Sequence, residues 1–295
     1  MLTKSDQVPP YIPYSLQDGD SVIWGRGTAD AKGSVATQII AAQNVLARTD
    51  INLPPDALAV LYVVGEEFNS EGMKYFNLHA PHNYSSIIFG EPTEGDLVCG
   101  HKGALGLALN VAGKAAHSGY PELGVDANSI LIKAVSKVLD MQTLPSSDKF
   151  GNTTVNPGLL QGGVAVNVVS AAASGGFAIR LGGGTPEEVR ALIEDELEES
   201  VSNAQKLGGK LEITFPIAGF PPQEIFCDIE GFNTSIVKYG TDIPYLSGPH
   251  KKYLYGPGSI QVAHGPEEHV LVKDLTDAVT AYEKIILHAL GLGCC

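Results

Sequence analysis

Residues 21–33, SVIWGRGTADAKG, are the stretch whose reading decides the fold. A short apolar run, Val22-Ile23-Trp24, meets a Gly25-Arg26-Gly27 turn and then Asp30. Beyond it Val35, Ile39, Ala42, Val45 and Leu46 recur at helical spacing. Asp30 therefore falls at a helix entrance on a glycine-rich turn. Taken alone, that position suits an N-cap, which satisfies unpaired amides and complements the helix dipole. The rest of the chain favours a second reading, a functional carboxylate.

The chain has 295 residues with 33 acidic and 19 basic side chains, a net charge of −14. Nucleic acid and anionic membranes would repel such a surface, so neither is expected as a partner. No apolar run approaches the ~18–20 residues of a membrane span. The start, MLTKSDQVPP, lacks the basic-then-apolar design of a signal peptide, and the expectation is a cytoplasmic protein. Cys99, Cys227, Cys294 and Cys295 show no C-x-x-C spacing and predict no disulfide framework.

Outward from Asp30, Ala57 to Val64 (ALAVLYVV) is a continuous apolar run, read as a buried parallel-type strand ending in Gly65-Glu66-Glu67. A helical segment around Gly72 to Leu78 follows. A second buried run, Ser86 to Phe89, ends in Gly90-Glu91. Near residue 103 the texture changes. Ala104–Val111 reads as strand, Val125–Met141 as helix, and Thr153–Leu159 and Ala172–Leu181 as strands. Thr185-Pro186-Glu187-Glu188 starts a helix to about Gln205, and Lys210–Phe215 closes the series as a strand. After residue 216, Phe232–Tyr239 reads as helix, Ser259–Ala263 as a strand stopping at His264, and Lys273–Leu290 as a closing helix. The expected fold class is α/β. A catalytic domain from residues 1–102 and 216–295, with a mostly parallel central sheet flanked by helices, carries an inserted α+β lid over 103–215 in β-α-β-β-α-β order.

Glu66-Glu67, Glu91 and His264 all fall where apolar runs stop. In open α/β sheets the carboxyl ends of strands border the functional crevice. Carboxylate oxygen and imidazole nitrogen bind borderline and hard cations. Two adjacent carboxyls also allow one to hold a metal while the other acts as base on an activated water.

Six segments, GRGTADAKG, VVGEEFNSEGM, IFGEPTEG, GKAAHSGYP, GGVAVNVV and GPGSIQVAH, together resemble the co-catalytic zinc amidohydrolases. That family includes aminoacylases, acetylornithine and succinyl-diaminopimelate deacylases, and glutamate-type carboxypeptidases. The resemblance implies that Asp30 bridges two metals, Glu66 is the general base, and Glu67 and His264 complete one metal site. Glu91 belongs to the other. His117 and Asn167 would lie in a lid domain that forms a homodimer, with His117 reaching the partner subunit's active site. Arg180 would grip a substrate carboxylate through its bidentate fork, with the backbone of Gly256-Pro257-Gly258 beside that pocket.

The chain departs from the family at its start. Aligned on Val8-Pro9, Asp6 matches the first motif's aspartate, but its ligand histidine becomes Lys4. An ammonium offers donors only. One tightly bound zinc, on Asp30, Glu67 and His264, is therefore expected, with the second site impaired. The family carries several tens of residues before this motif, so a sheet region uncovered here or capped by another subunit is also expected. These features predict a metal-dependent hydrolase of an amide or peptide bond in a small carboxylate-bearing substrate. The alternative is a repurposed or inactive relative with one metal or none, binding a metabolite or catalysing a non-hydrolytic biosynthetic step.

Overall fold

The computed structural model describes residues 14–292. In chain order it contains β1 (Ser15–Gln17), β2 (Val22–Trp24), α1 (Gly33–Leu46), α2 (Glu71–His79), β3 (Ser86–Gly90) and β4 (Leu97–His101). There follow β5 (Gly103–Ala112), α3 (Ala127–Asp140), β6 (Ser146–Ser147), β7 (Gly151–Asn152), β8 (Thr154–Gly162), β9 (Ala172–Leu181), α4 (Pro186–Lys206) and β10 (Lys210–Thr214). The chain closes with β11 (Gln223–Glu224), β12 (Thr234–Val237), β13 (Lys251–Tyr255), β14 (His269–Leu271) and α5 (Val272–Ala289). Two compact units divide these elements. One holds the chain through Gly100, Glu224–Val237 and the segment from Thr241 onward; the other holds His101–Gln223 and Lys238–Gly240.

The second unit is a four-stranded antiparallel sheet in the order β10-β5-β9-β8, with α3 and α4 sharing its core. Strand periodicity explains its buried face: Leu105, Leu107, Leu109 and Val111 alternate inward along β5. Asp126 caps α3 by accepting the Asn128 amide at 3.0 Å, and Thr185 caps α4 by accepting the Glu188 amide at 3.2 Å. Their apolar stripes, Ile130, Leu131, Ala134 and Val138 on α3 and Val189, Ile193 and Leu197 on α4, enter the same core.

In the first unit β3 and β13 pair in parallel, Ser86 opposite Lys251 through Gly90 opposite Tyr255. The sheet β1-β2-β14 is antiparallel, and β4 lies between β11 and β12. Ala41 and Val45 of α1 share a core with Tyr282 and Ile285 of α5 and with Tyr253 and Tyr255 of β13. The Tyr282 hydroxyl donates to the Tyr255 carbonyl, so the buried phenol is satisfied.

Three local expectations change. Ala57–Val64 forms no strand, and Val60, Leu61, Tyr62 and Val64 are exposed, while Leu58 and Val63 pack against neighbouring cores. A strand needs a ladder partner, and among the described residues none pairs with this run. Within Phe232–Tyr239 the chain is extended as β12, drawn out by its place beside β4. Ser259–Ala263 is a single 3-10 turn, Ile260–Val262, with the Ser259 hydroxyl accepting the Gln261 amide at its start.

The cysteine reading is also corrected. Cys99 and Cys227 form a disulfide, closing a separation of 128 residues around the second unit. No short spacing announces such a bridge. Cys294 and Cys295 lie outside the described residues.

Candidate metal centre

Asp30 is not the cap of α1. That helix has Lys32 at its N-cap position with no side-chain cap hydrogen bond, and a turn, Thr28–Lys32, precedes it. The turn needs Gly27 at φ 84°, where a Cβ would stand 2.0 Å from the Lys32 ammonium nitrogen. Released from capping, the Asp30 carboxylate faces His264, with Oδ2 3.0 Å from Nε2. Glu67 Oε1 approaches the same nitrogen at 3.0 Å. The Asp30 and Glu67 side chains are 12% and 22% exposed and that of His264 is 47% exposed, so the cluster opens to solvent on the imidazole side.

Negative charge dominates the surroundings. Burial pushes the Glu66 carboxyl up to about 8, helped by the charges of Asp242, Glu67 and Asp30. Glu91 is held well above the ordinary carboxylate range by burial and by the charges of Glu66, Asp30 and Glu67. His264 is raised to about 10 because its ring bonds to the carboxylates of Asp30 and Glu67. In this arrangement a proton on imidazole supplies the positive charge that two carboxylates demand.

Asp30, Glu67 and His264 each offer one ligand atom, all within 4.8 Å of one another. Two carboxylate oxygens and one imidazole nitrogen form a donor set suited to zinc with an open position. Adjacent Glu66 is outside that set yet shares its field, and Glu91 lies in the same field. The residues present therefore fit a divalent cation.

Two acids escaped the sequence reading. Asp242 is 3% exposed and its carboxyl is raised by burial, against the charge of Lys74. It lies in Gly-Thr-Asp-Ile-Pro, where no apolar run stops to signal it. Glu268 is 2% exposed beneath the Asp30 turn, although its Glu267-Glu268 setting reads as a solvated acid pair.

Gly256, Pro257 and Gly258 are buried in the first unit. The Gly256 carbonyl accepts the amides of Thr93 and Gly95, and the Gly258 carbonyl accepts that of Glu94. A Cβ on Gly256 would meet the Glu91 carbonyl at 2.3 Å, so glycine here permits the close approach that seats the Glu91 loop. In the second unit His117 is exposed and its Nδ1 accepts the Gly119 amide at 3.0 Å, while the exposed Asn167 accepts the Ser118 amide through its carbonyl. Arg180 is half-buried beside Gly240, and burial lowers the pKa of its guanidinium. Lys4 and Asp6 lie outside the described residues.

A probable carboxypeptidase of Neosartorya fischeri is 44% identical over 97% of this chain and 68% of its own length. The family model of the peptidase dimerisation domain matches residues 99–204. The chain belongs to the M20 peptidase family. Two solved structures share the fold of this M20 peptidase. A tripeptidase from Staphylococcus aureus superposes with a TM-score of 0.73 at 23% identity, covering 96% of this chain and 78% of that one. An M20 family metallo-carboxypeptidase from Sulfolobus solfataricus gives 0.71 at 17% identity, covering 96% and 81%. Among its described residues this M20 peptidase has no helix long and apolar enough to cross a membrane.

Proposed function

We propose that the protein is a zinc-dependent hydrolase of amide bonds in small carboxylate-bearing substrates, either N-acyl amino acids or short peptides. The meeting of Asp30, Glu67 and His264 beside Glu66 carries this reading. Asp30, Glu67 and His264 would hold one tightly bound zinc. Zinc, when bound, polarises the scissile carbonyl and acidifies the attacking water. Glu66 takes a proton from that water as its oxygen bonds to the carbonyl carbon. It then passes the proton to the nitrogen as the C–N bond breaks, leaving an acid and an amine.

Arg180 is the residue we assign to the substrate carboxylate, with Asn167 as a further substrate contact and His117 as the group that stabilises the tetrahedral oxyanion. The probable-carboxypeptidase name of the Neosartorya relative supports a substrate with a free carboxylate. A homodimer through the second unit is supported by the dimerisation-domain match and by the open edge of β8. Leu159 and Leu160 on that edge are exposed, as are Val164 and Val166 just beyond it. His117 then serves the partner subunit's active site. The Cys99–Cys227 bridge supports an oxidising compartment over the cytoplasmic one expected from the N-terminal residues.

Elemental analysis after dialysis, combined with hydrolysis of N-acyl amino acids and dipeptides, tests the reading. One zinc per chain and turnover of a carboxylate-bearing amide are expected. Failure to take up zinc when it is supplied would instead favour the metabolite-binding or non-hydrolytic relative.

A further inference from the structure

Glu268 does more than fill the space beneath the Asp30 turn. Its Oε1 accepts three backbone amides, from Gly27 at 2.8 Å, Ala29 at 3.2 Å and Asp30 at 3.1 Å. Its own carbonyl accepts a fourth, from Gly25 at 3.0 Å. The second carboxylate oxygen lies 3.6 Å from Arg26 Nη1, and Arg26 Nη2 donates to the His264 carbonyl at 3.3 Å. One buried acid thus ties the loop carrying Asp30 and, through Arg26, the backbone carrying His264, whose φ is +60°. These segments are 238 residues apart in the chain and have no local reason to stay in register.

We infer that Glu268 is the positioning residue of the metal centre, holding Asp30 and His264 at ligand spacing, with Arg26 as its arm to His264. The inference rests on the proposed metal site. An ionised oxygen is the acceptor suited to three amides at once, because charge-assisted hydrogen bonds are about twice as strong as neutral ones. The turn also closes on itself through the Thr28 amide to the Gly25 carbonyl and the Lys32 amide to the Gly27 carbonyl, but the Gly27, Ala29 and Asp30 amides share Glu268 as their partner. Freed, they would compete for other acceptors, the Asp30 carboxylate among them, and draw it away from His264. Residues behind metal ligands typically change metal affinity by about 10–100-fold when removed.

The test uses the full chain as apoprotein, titrated with zinc against a chromophoric chelator, together with amide exchange followed by mass spectrometry. Glu268→Ala is expected to weaken zinc binding at least about tenfold and to speed exchange across residues 25–31. Arg26→Met is expected to act in the same direction, with its exchange effect centred on residues 262–266. Tyr253→Phe, which removes a hydrogen bond to Asp228 elsewhere in the first unit, serves as the stability control. It is expected to leave zinc affinity within about twofold of wild type, well below the range for lost second-layer partners. Glu268→Gln keeps the shape and reads the same effect at smaller amplitude if the alanine variant does not fold. Unchanged zinc affinity and unchanged exchange at 25–31 in the Glu268 variants would overturn the inference. So would an equal loss of affinity in Tyr253→Phe, since the effect would then follow stability alone. If wild type binds no zinc, the metal reading fails, while exchange at 25–31 still decides whether Glu268 orders the turn.

Discussion

Burial moves Glu66 and His101 away from their ordinary ranges in opposite directions, each toward its neutral form. Glu66 is the base of the proposed hydrolysis. Glu66→Ala is expected to reduce hydrolysis by about 10²–10⁴-fold with zinc content unchanged, as read by turnover and elemental analysis of the same preparation. For His101 the consequence is stability. Buried in the second unit, with its Nδ1 at 2.8 Å from the Lys102 carbonyl, it is lowered to about 4, by burial first and by the charge of Arg180 as well. Folded His101 stays neutral down to about pH 4, whereas the unfolded chain takes up its proton near pH 6.5. Stability is therefore complete above about 6.5 and is lost as pH falls toward 4, by roughly 3 kcal/mol from this group. Urea unfolding at pH 7 and pH 4.5 should show that loss in wild type and a smaller one in His101→Gln.

Helices and strands whose partners lie nearby in sequence follow their local chemistry closely. In α4, Thr185-Pro186-Glu187-Glu188 supplies the cap, the first-turn proline and acids for the dipole, and the helix begins at Pro186. Its Ile193 is fully buried. Ile193→Ala should lower the stability of the second unit by about 2–5 kcal/mol, measurable by urea denaturation. The apolar run Ala57–Val64 had equally strong local credentials for a strand. It lacks a ladder partner among the described residues, and an unpaired extended segment gains nothing from its β-branched side chains. Ser259–Ala263 turned into a 3-10 turn for a related reason: the last strand of the β1-β2-β14 sheet is His269–Leu271.

Across the whole molecule, the disulfide and the β8 edge make separate demands. Joining Cys99 to Cys227 restricts the unfolded chain over 128 residues. In the chain-entropy model a loop of that length contributes about 5 kcal/mol. Cys99→Ser with Cys227→Ser should therefore lower the melting temperature, and alkylation without reductant should leave both wild-type thiols unmodified by mass. The open edge of β8 predicts assembly. Leu160→Glu with Val164→Glu should convert a dimer to a monomer by light scattering while leaving far-ultraviolet circular dichroism unchanged, because both side chains are exposed. A monomeric wild-type chain at micromolar concentration would remove the proposed role of His117.

The sequence by itself determined the mixed α/β class, the β-α-β-β-α-β order of β5, α3, β8, β9, α4 and β10, and the long helices α1 and α5. Each depends on side chains two to four residues apart, where periodicity and caps act. It also marked Glu66, Glu67, Glu91 and His264, because a polar group that ends an apolar run stands out locally. The family resemblance further implied that Asp30 and His264 share one site, and the structure sets them 3.0 Å apart; only the tertiary structure decided that Glu268 lies beneath the turn, that Asp242 joins the acidic field, and that Cys99 meets Cys227. Those contacts join residues more than a hundred positions apart, and no local pattern encodes a partner that only chain folding brings within hydrogen-bonding or bonding distance.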